Sequence, residues 1–152
     1  MSLNEEVEIL RNIPLFANIE PSKLKLLAFT SERLTFHKGQ DLCVQGEMGD
    51  AAFIIIDGAV DVLVNTDDGV LSVAKMSKND VVGEISILTD VPRTATVRAT
   101  SDVTVLRISK DLFLRLMREF PQMAVEIMRE LARRLDKTTA DLTRALAADG
   151  SN

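Results

Sequence analysis

One segment of sixteen residues, positions 82–97 with the sequence VGEISILTDVPRTATV, constrains this chain more than any other. A Gly-Glu pair opens a short apolar stretch, a polar turn with a proline follows, and Arg-Thr-Ala leads into an alternating strand. Gly83 permits a close backbone approach or a positive φ. The free backbone N–H groups of a one-turn helix after it can receive an anion. The segment therefore predicts a turn that holds a negatively charged group.

Two charged side chains narrow the kind of ligand. Arg93 offers a planar fork of donors that matches two phosphate oxygens. Glu84 only accepts hydrogen bonds when it is ionised, so it suits a hydroxyl such as a ribose 2′-OH. A phosphate and a ribose hydroxyl together describe a nucleotide. The alternative is an ordinary β-turn before a capped helical turn, in which Arg93 is solvated and binds nothing.

The same segment resembles the phosphate-binding cassette of the cyclic nucleotide-binding domain family. That pattern is an apolar residue, Gly-Glu, two or three apolar or small residues, a variable turn, then Arg, a small residue and Ala. Agreement of many residue classes across one window is more specific than a lone glycine motif. The matching positions are Val82, Gly83, Glu84, Ser86, Ile87, Arg93, Thr94, Ala95 and Val97.

The resemblance implies a role for each cassette residue. Arg93 would pair with the cyclic phosphate, Glu84 would hold the ribose 2′-OH, and backbone amides near Ser86 and Thr94 would complete the cradle. The resemblance also places an apolar wall along the nucleotide. The ligand-binding residues predicted in this part of the chain are Gly83, Glu84, Ile85, Ser86, Arg93, Thr94 and Ala95, with Val62, Val73 and Ala74 as the wall.

Hydrophobic periodicity divides the chain into helices, then strands, then helices. Helical spacing predicts helices over residues 3–12 and from Pro21 onward. Glycine, asparagine and aspartate turns separate the predicted strands, which are 34–37, 41–45, 52–56, 59–65, 70–76 and 96–108. Ser109 is predicted to cap a helix, and Pro121 to start a long helix that runs to about Ala147, with Gly150 as its stop.

Short, closely spaced strands favour a sandwich or jelly roll. The predicted fold class is α+β, mainly β: a cyclic nucleotide-binding jelly-roll barrel flanked by N-terminal helices and a long C-terminal helix. The resemblance covers nearly the whole chain. We expect one domain over residues 1–152, with N-terminal helices in 1–31, the barrel and its cassette (82–97) in 32–108, and C-terminal helices in 109–148.

The long helix carries an apolar stripe at alternating steps of three and four: Met128, Leu131, Leu135, Thr138, Leu142 and Ala145. Two interpretations of the stripe stay open. It is either the seam of a coiled-coil homodimer or a face that packs on the barrel of its own subunit.

Residues 132–139 resemble the helix after the barrel in catabolite-activator-type regulators, where this helix dimerises. The resemblance implies that Arg134 approaches Glu84 and that Thr138 and Thr139 meet the adenine amino group. In the family, a Thr at the position of Thr94 is associated with guanine instead. The two helix residues favour cAMP over cGMP as the regulatory ligand.

Composition excludes several classes of function. A net charge of −5 argues against a nucleic-acid surface and makes a local cation such as Arg93 necessary for an anionic ligand. With His37 as the single histidine, a histidine-rich metal site is excluded, no Ser-His-Asp set is available beyond that one residue, and no Walker-type loop occurs. We expect no enzyme and no metal cofactor. Cys43 is expected to be a buried, inert thiol. Without a signal-peptide pattern or membrane segment, the protein is expected in the cytoplasm.

The sequence thus predicts a regulatory module that senses a cyclic nucleotide and signals occupancy through its terminal helices to an unidentified effector protein. One alternative is a structural or dimerisation module of the same fold that has lost its ligand. Another is the sensor part of a transcription regulator that lacks its DNA-binding domain. The intact pair of Glu84 and Arg93 favours the first interpretation.

Overall fold

Five α-helices and eight β-strands are found in the computed structural model, which describes residues 2–150. The helices are α1 (Leu3–Arg11), α2 (Pro21–Thr30), α3 (Glu84–Thr89), α4 (Lys110–Glu119) and α5 (Pro121–Gly150), and a 3₁₀ turn occupies Pro14–Phe16. The strands are β1 (Glu32–Phe36), β2 (Asp41–Cys43), β3 (Ala51–Asp57), β4 (Ala59–Thr66), β5 (Gly69–Ser77), β6 (Val81–Val82), β7 (Thr96–Ala99) and β8 (Val103–Ser109).

Helix starts follow the local signals in the sequence. Pro21 is the first residue of α2 and Pro121 the first of α5, where a missing N–H costs no hydrogen bond. The Ser109 hydroxyl accepts a hydrogen bond from the Leu112 N–H at 3.3 Å, so the predicted cap of α4 is confirmed. Helix α5 extends three residues beyond the predicted Ala147 and includes Gly150.

The strands form two antiparallel sheets of four, in the orders β1-β8-β3-β6 and β2-β7-β4-β5. Within residues 2–150 no strand pairing joins the two sheets, so they form a sandwich and do not close into a barrel. The predicted α+β class is confirmed by two four-stranded sheets, helices at both ends of the chain and a long C-terminal helix, although the helices contain more residues than the strands.

The single strand predicted over residues 96–108 is wrong, because it is two strands in different sheets. The break lies at residues 100–102, where side-chain hydroxyl groups form hydrogen bonds with the first residue of β4, next to the turn between β3 and β4, in place of the hydrogen bonds of a strand ladder. Ser101 accepts from the Ala59 N–H at 3.1 Å, and Thr100 donates to the Ala59 carbonyl. Gly58 allows this close crossing, since it has a φ of +92° and an added Cβ would lie 2.3 Å from the Asp102 carbonyl oxygen.

Strand β3 is buried on both faces and separates two cores. One face contributes Ala51, Phe53 and Ile55 to the core between the sheets. The other contributes Ala52, Ile54 and Ile56 to a second core beneath the helices. Ile87 of α3 also lies in this second core, so the cassette helix is packed against the terminal helices.

The apolar stripe of α5 is exposed for most of its length. Met128, Leu135 and Leu142 are 60%, 66% and 57% exposed, so packing on the subunit's own sheets is the wrong interpretation for these three residues. Leu131 differs, since it is half-buried against the helical core. The stripe is therefore available for contact with another molecule.

Candidate functional site

A cavity of about 190 Å³ lies between the second sheet and the cassette. Ten of the thirteen predicted ligand-binding residues line it, contributed by four separate parts of the chain. They are Val62 from β4, Ala74 from β5, Gly83, Glu84, Ile85, Ser86, Arg93, Thr94 and Ala95 from the cassette, and Arg134 from α5. The structure thus brings together residues that lie up to 72 positions apart in the sequence.

Arg93 is buried, with 5% exposure. Its guanidinium donates from Nη1 to the Gly83 carbonyl and from Nη2 to the Ala51 carbonyl, both at 2.6 Å. Among the described residues, no carboxylate oxygen lies within 4.0 Å of the Arg93 guanidinium, so Arg93 forms no ion pair there. A buried cation without a counter-ion is costly, so this cavity favours an anion. The interpretation of Arg93 as a solvated side chain is wrong.

Two glycines make room for this guanidinium. Gly83 has a φ of +84°, and a Cβ there would lie 2.7 Å from Arg93 Nη1. It therefore shows both the positive φ and the close approach that were expected of a glycine at this position. Gly49 was not predicted as part of the site. A Cβ on Gly49 would lie 2.0 Å from Ser86 Oγ and 3.2 Å from Arg93 Cζ, although its own φ is not in the left-handed region.

Residues 46–49 form the back wall of the cassette. The Arg93 N–H donates to the Glu47 carbonyl at 2.7 Å, and the Gly46 N–H donates to the Arg93 carbonyl at 2.9 Å.

Ser86 carries unused hydrogen-bonding capacity in the same cavity. The residue is 5% exposed, and its Oγ has no hydrogen-bond partner within the described chain. Buried hydroxyl groups are normally satisfied, so this atom is suited to a polar ligand group.

Glu84 is buried and paired with the long helix. Its Oε1 accepts from Arg134 Nη1 at 2.7 Å, and Arg134 Nη2 also donates to the Val81 carbonyl at 3.1 Å. Burial raises the pKa of the Glu84 carboxyl, and the positive charge of Arg134 opposes that rise. The folded-state pKa of this carboxyl lies above its pKa in the unfolded chain. Its contribution to the free energy of unfolding therefore falls as the pH rises from the unfolded-state pKa through the folded-state pKa. A hydroxyl donor would favour the ionised form.

Three predicted residues do not line the cavity. Val73 is 52% exposed, because β5 pairs Ala74 with Val62 and Ser72 with Leu63 and leaves Val73 as the extra residue of a bulge. Thr138 and Thr139 are exposed on α5. Thr138 lies one helical turn beyond Arg134 on the same face, about 6 Å along the axis.

Four apolar lining residues were not among the predicted ligand-binding residues: Val82 and Val97, which were named only as cassette positions, and Met76 and Cys43, which were missed altogether. Met76 lies two residues beyond Ala74 on β5, so strand alternation was a signal for it. Cys43 pairs with Val97 across the β2–β7 ladder. Cys43 is half-buried and lines the cavity, so the expectation of a fully buried thiol is wrong. Burial raises the pKa of the Cys43 thiol, and the nearby positive charge of Arg93 opposes that rise.

A family model for the cyclic nucleotide-binding domain matches residues 33–120. The chain is 30% identical over 145 residues to a CRP-like cAMP-activated global transcriptional regulator of Mycobacterium tuberculosis, which aligns 93% of this chain and 64% of the regulator. It is 32% identical over 110 residues to a cAMP-dependent protein kinase regulatory subunit of Colletotrichum orbiculare, with 72% of this chain and 28% of that protein aligned. The chain therefore spans less than two thirds of the length of these relatives.

Comparison with a solved structure also shows that the fold is shared with a known protein. The catabolite activator protein of Thermus thermophilus superimposes with a TM-score of 0.75 at 27% identity, over 85% of this chain and 61% of that one. In residues 2–150 no helix combines the length and apolar character needed to cross a membrane. The same residues contain no cluster of three His, Cys, Asp or Glu side chains placed to hold a metal ion.

We expect Gly49→Ala to lower the free energy of unfolding by about 1–3 kcal/mol, because the new methyl group overlaps Ser86. Urea unfolding of Gly49→Ala, Ser86→Gly and the double variant measures the coupling between the two positions. Removing the Ser86 side chain eliminates its Oγ and its Cβ, which would lie 2.9 Å from the new methyl group. The alanine should then cost clearly less in the Ser86→Gly background. An equal cost in both backgrounds would show that Gly49 does not act through Ser86.

Proposed function

The chain belongs to the cyclic nucleotide-binding domain family, and we propose that it is a regulatory sensor whose cavity binds a cyclic nucleotide. The single observation that carries this proposal is Arg93, a buried guanidinium without a carboxylate partner among the described residues. A cyclic phosphate is an anion of one charge with two free oxygens, which a planar fork of donors can bind. We propose no catalytic activity for this module and place it in the cytoplasm.

The other polar groups of the cavity suit the rest of a nucleotide. Ser86 Oγ is free to donate to a phosphate oxygen, and Glu84 can accept from the ribose 2′-OH. The wall formed by Val62, Ala74 and Met76 offers an apolar surface for the base. These assignments are proposals, argued from burial and from the position of each group in one cavity.

We propose that occupancy is transmitted through Glu84. This carboxylate holds Arg134 of α5 in the structure, so a ribose hydroxyl would enter an existing contact between the cavity and the long helix. A ligand shifts an equilibrium only by its different affinity for two states, and contacts from α5 supply such a difference. We propose that Met128, Leu135 and Leu142 form a homodimer contact. We also propose that the signal passes from α5 to an effector protein or to a further segment.

A dimerisation module is the second candidate function, and the exposed stripe of α5 favours it. It differs from the sensor in one respect, since it requires no ligand. The uncompensated charge of buried Arg93 and the unsatisfied hydroxyl of Ser86 support the sensor, because a purely structural module does not need an anion-binding charge or a free hydroxyl in a cavity.

Titration calorimetry with cAMP tests the proposed function through Arg93. We expect Arg93→Gln to weaken binding by about 2–4 kcal/mol, because the charge opposite the phosphate is lost. Glutamine is preferable to alanine here, since its amide can still donate to one of the two carbonyls that Arg93 satisfies. The matched control is Arg98→Gln on β7, where an exposed arginine pairs with Asp41 at 2.8 Å.

The sensor assignment requires wild-type binding and a selective loss in Arg93→Gln. If the wild type does not bind cAMP or cGMP, the sensor is excluded and the dimerisation module remains. Equal affinity in the wild type and a folded Arg93→Gln would remove Arg93 from the site.

Sugar discrimination tests Glu84. The 2′-deoxy analogue of cAMP should bind about 1–3 kcal/mol more weakly than cAMP, because the buried carboxylate then lacks a hydroxyl donor. This difference should shrink in Glu84→Gln and persist in Glu32→Gln, whose exposed side chain on β1 lies outside the cavity. A wild-type protein that binds the two analogues equally would exclude Glu84 as the ribose ligand.

We propose that the ligand is cAMP and not cGMP, because Thr138 and Thr139 match the residues that meet the adenine amino group in catabolite-activator-type regulators. Competition between the two nucleotides measures this preference, and a tenfold preference corresponds to about 1.4 kcal/mol. Thr94→Ala should weaken cGMP more than cAMP, because it removes the hydroxyl that suits guanine. Displacement of cAMP by a much lower concentration of cGMP would reverse the assignment.

A further inference from the structure

We propose that the groove between α2 and α4 is a docking surface for an acidic amphipathic helix of a partner protein. The groove has a volume of about 480 Å³, and it is lined by residues of these two helices and by Phe120, which joins α4 to α5. It shares no lining residue with the cavity that contains Arg93. This inference therefore does not rest on nucleotide binding.

The apolar part of this surface extends from the groove onto the outer side of α2. Leu27 and Leu116 are the buried residues of the lining, and both belong to the helical core, so the fold holds them in place. Leu26 also lines the groove, although it is 62% exposed. Phe29, one helical turn later, is 78% exposed, more than any other large apolar side chain among the described residues. Contact with a partner would remove this apolar surface from water.

The basic side chains at the groove lack acidic partners. Apart from Arg93, the arginines that form no ion pair among the described residues are Arg115, which lines the groove, and Arg118, one turn later on α4. Lys23 also lines the groove, and its Nζ lies 4.6 Å from the centre of the Phe120 ring. This contact holds the ammonium group beside the groove without neutralising its charge.

The balance of charge selects an acidic partner. Helix α2 contains no acidic residue, and Glu119 is the single carboxylate among the described residues that line the groove. Positive charge is thus concentrated here in a chain whose net charge is −5, and such a local field attracts a complementary surface. An acidic amphipathic helix would place its apolar face on Leu26 and Phe29 and its carboxylates near Lys23 and Arg115.

A helix suits this surface better than a membrane does. The groove lies between two helices of 10 residues each, and an amphipathic helix docks into a groove of this kind. A bilayer surface is flat and would contact Phe29 without filling the groove. An anionic bilayer would also repel a chain of net charge −5, whereas a helix presents its carboxylates only to the basic residues.

The test uses a synthetic peptide of about 18 residues, long enough to form a helix, with leucine and phenylalanine on one face and glutamate on the other. Amide shifts in ¹H–¹⁵N spectra of the whole chain should move at residues 23–30 and 112–120. A peptide with lysine in place of every glutamate should give no saturable shifts there. Arg115→Glu should weaken binding of the acidic peptide by about fivefold or more, since it replaces an attraction by a repulsion.

Two matched controls separate the groove from the rest of the surface. Lys38→Glu reverses the charge of an exposed lysine in the turn between β1 and β2, outside the groove, and should leave the affinity unchanged. Phe29→Ala should weaken the peptide by about fivefold or more, whereas Val70→Ala, at an exposed position of β5, should not. Since Phe29 is mostly exposed, its replacement leaves the core intact.

Equal binding of the lysine peptide would overturn the proposal, as would an unchanged affinity in Arg115→Glu or Phe29→Ala, or an absence of saturable shifts in the wild type. Shifts at the same residues that follow protein concentration alone would assign the groove to a second copy of the chain and overturn the proposal. Binding of phosphatidylglycerol vesicles without binding of the peptide would assign the surface to a membrane and also overturn it. Arg93→Gln should bind the peptide with wild-type affinity, so loss of nucleotide binding and loss of peptide binding are independent outcomes.

Discussion

The cassette depends on one buried guanidinium. Arg93 reaches the carbonyl of Gly83, just before α3, and the carbonyl of Ala51, at the start of β3. Its own backbone is paired with Glu47 and Gly46. One residue thus fastens three segments of the chain that are distant in sequence. Two of the five side-chain N–H donors of Arg93 are used by the Gly83 and Ala51 carbonyls and no carboxylate balances its charge among the described residues, so an anion would gain both hydrogen bonds and charge compensation on entering.

Strand β3 gives this guanidinium a rigid base. Both of its faces are buried, one between the sheets and one beneath the helices. Helix α3 carries the polar residues Glu84 and Ser86 towards the cavity and Ile87 into the helical core. A displacement of α3 would therefore reach α5 through packing as well as through the Glu84–Arg134 ion pair.

The sequence was most informative where function depends on neighbours in the chain. The position of the cassette in the chain could be predicted, because the glycine, carboxylate and arginine must occur within one short turn, and its predicted residues line one cavity, while their roles toward a ligand stay predictions. The Ser109 cap of α4 and the start of α5 at Pro121 were equally local signals. Val73 could not be placed, because the bulge that turns it outward depends on the register between β4 and β5. The break at residues 100–102 was missed because the partners of its hydroxyl groups lie about 40 positions earlier in the chain. Gly49 was missed because its requirement is contact with Ser86, which no local pattern encodes.

The exposed end of α5 has a consequence for the thermodynamics of the helix itself. Every described side chain from residue 135 to residue 148 is exposed, so this stretch receives no stabilisation from the sandwich. Isolated helices shorter than about 12–15 residues are marginal in water. The segment continues a helix whose first half is packed, so it needs no new nucleation, but it gains little beyond helix propagation. If the homodimer proposed at Met128, Leu135 and Leu142 forms, helix content and association become one equilibrium, and the length of ordered helix then depends on protein concentration as well as on sequence.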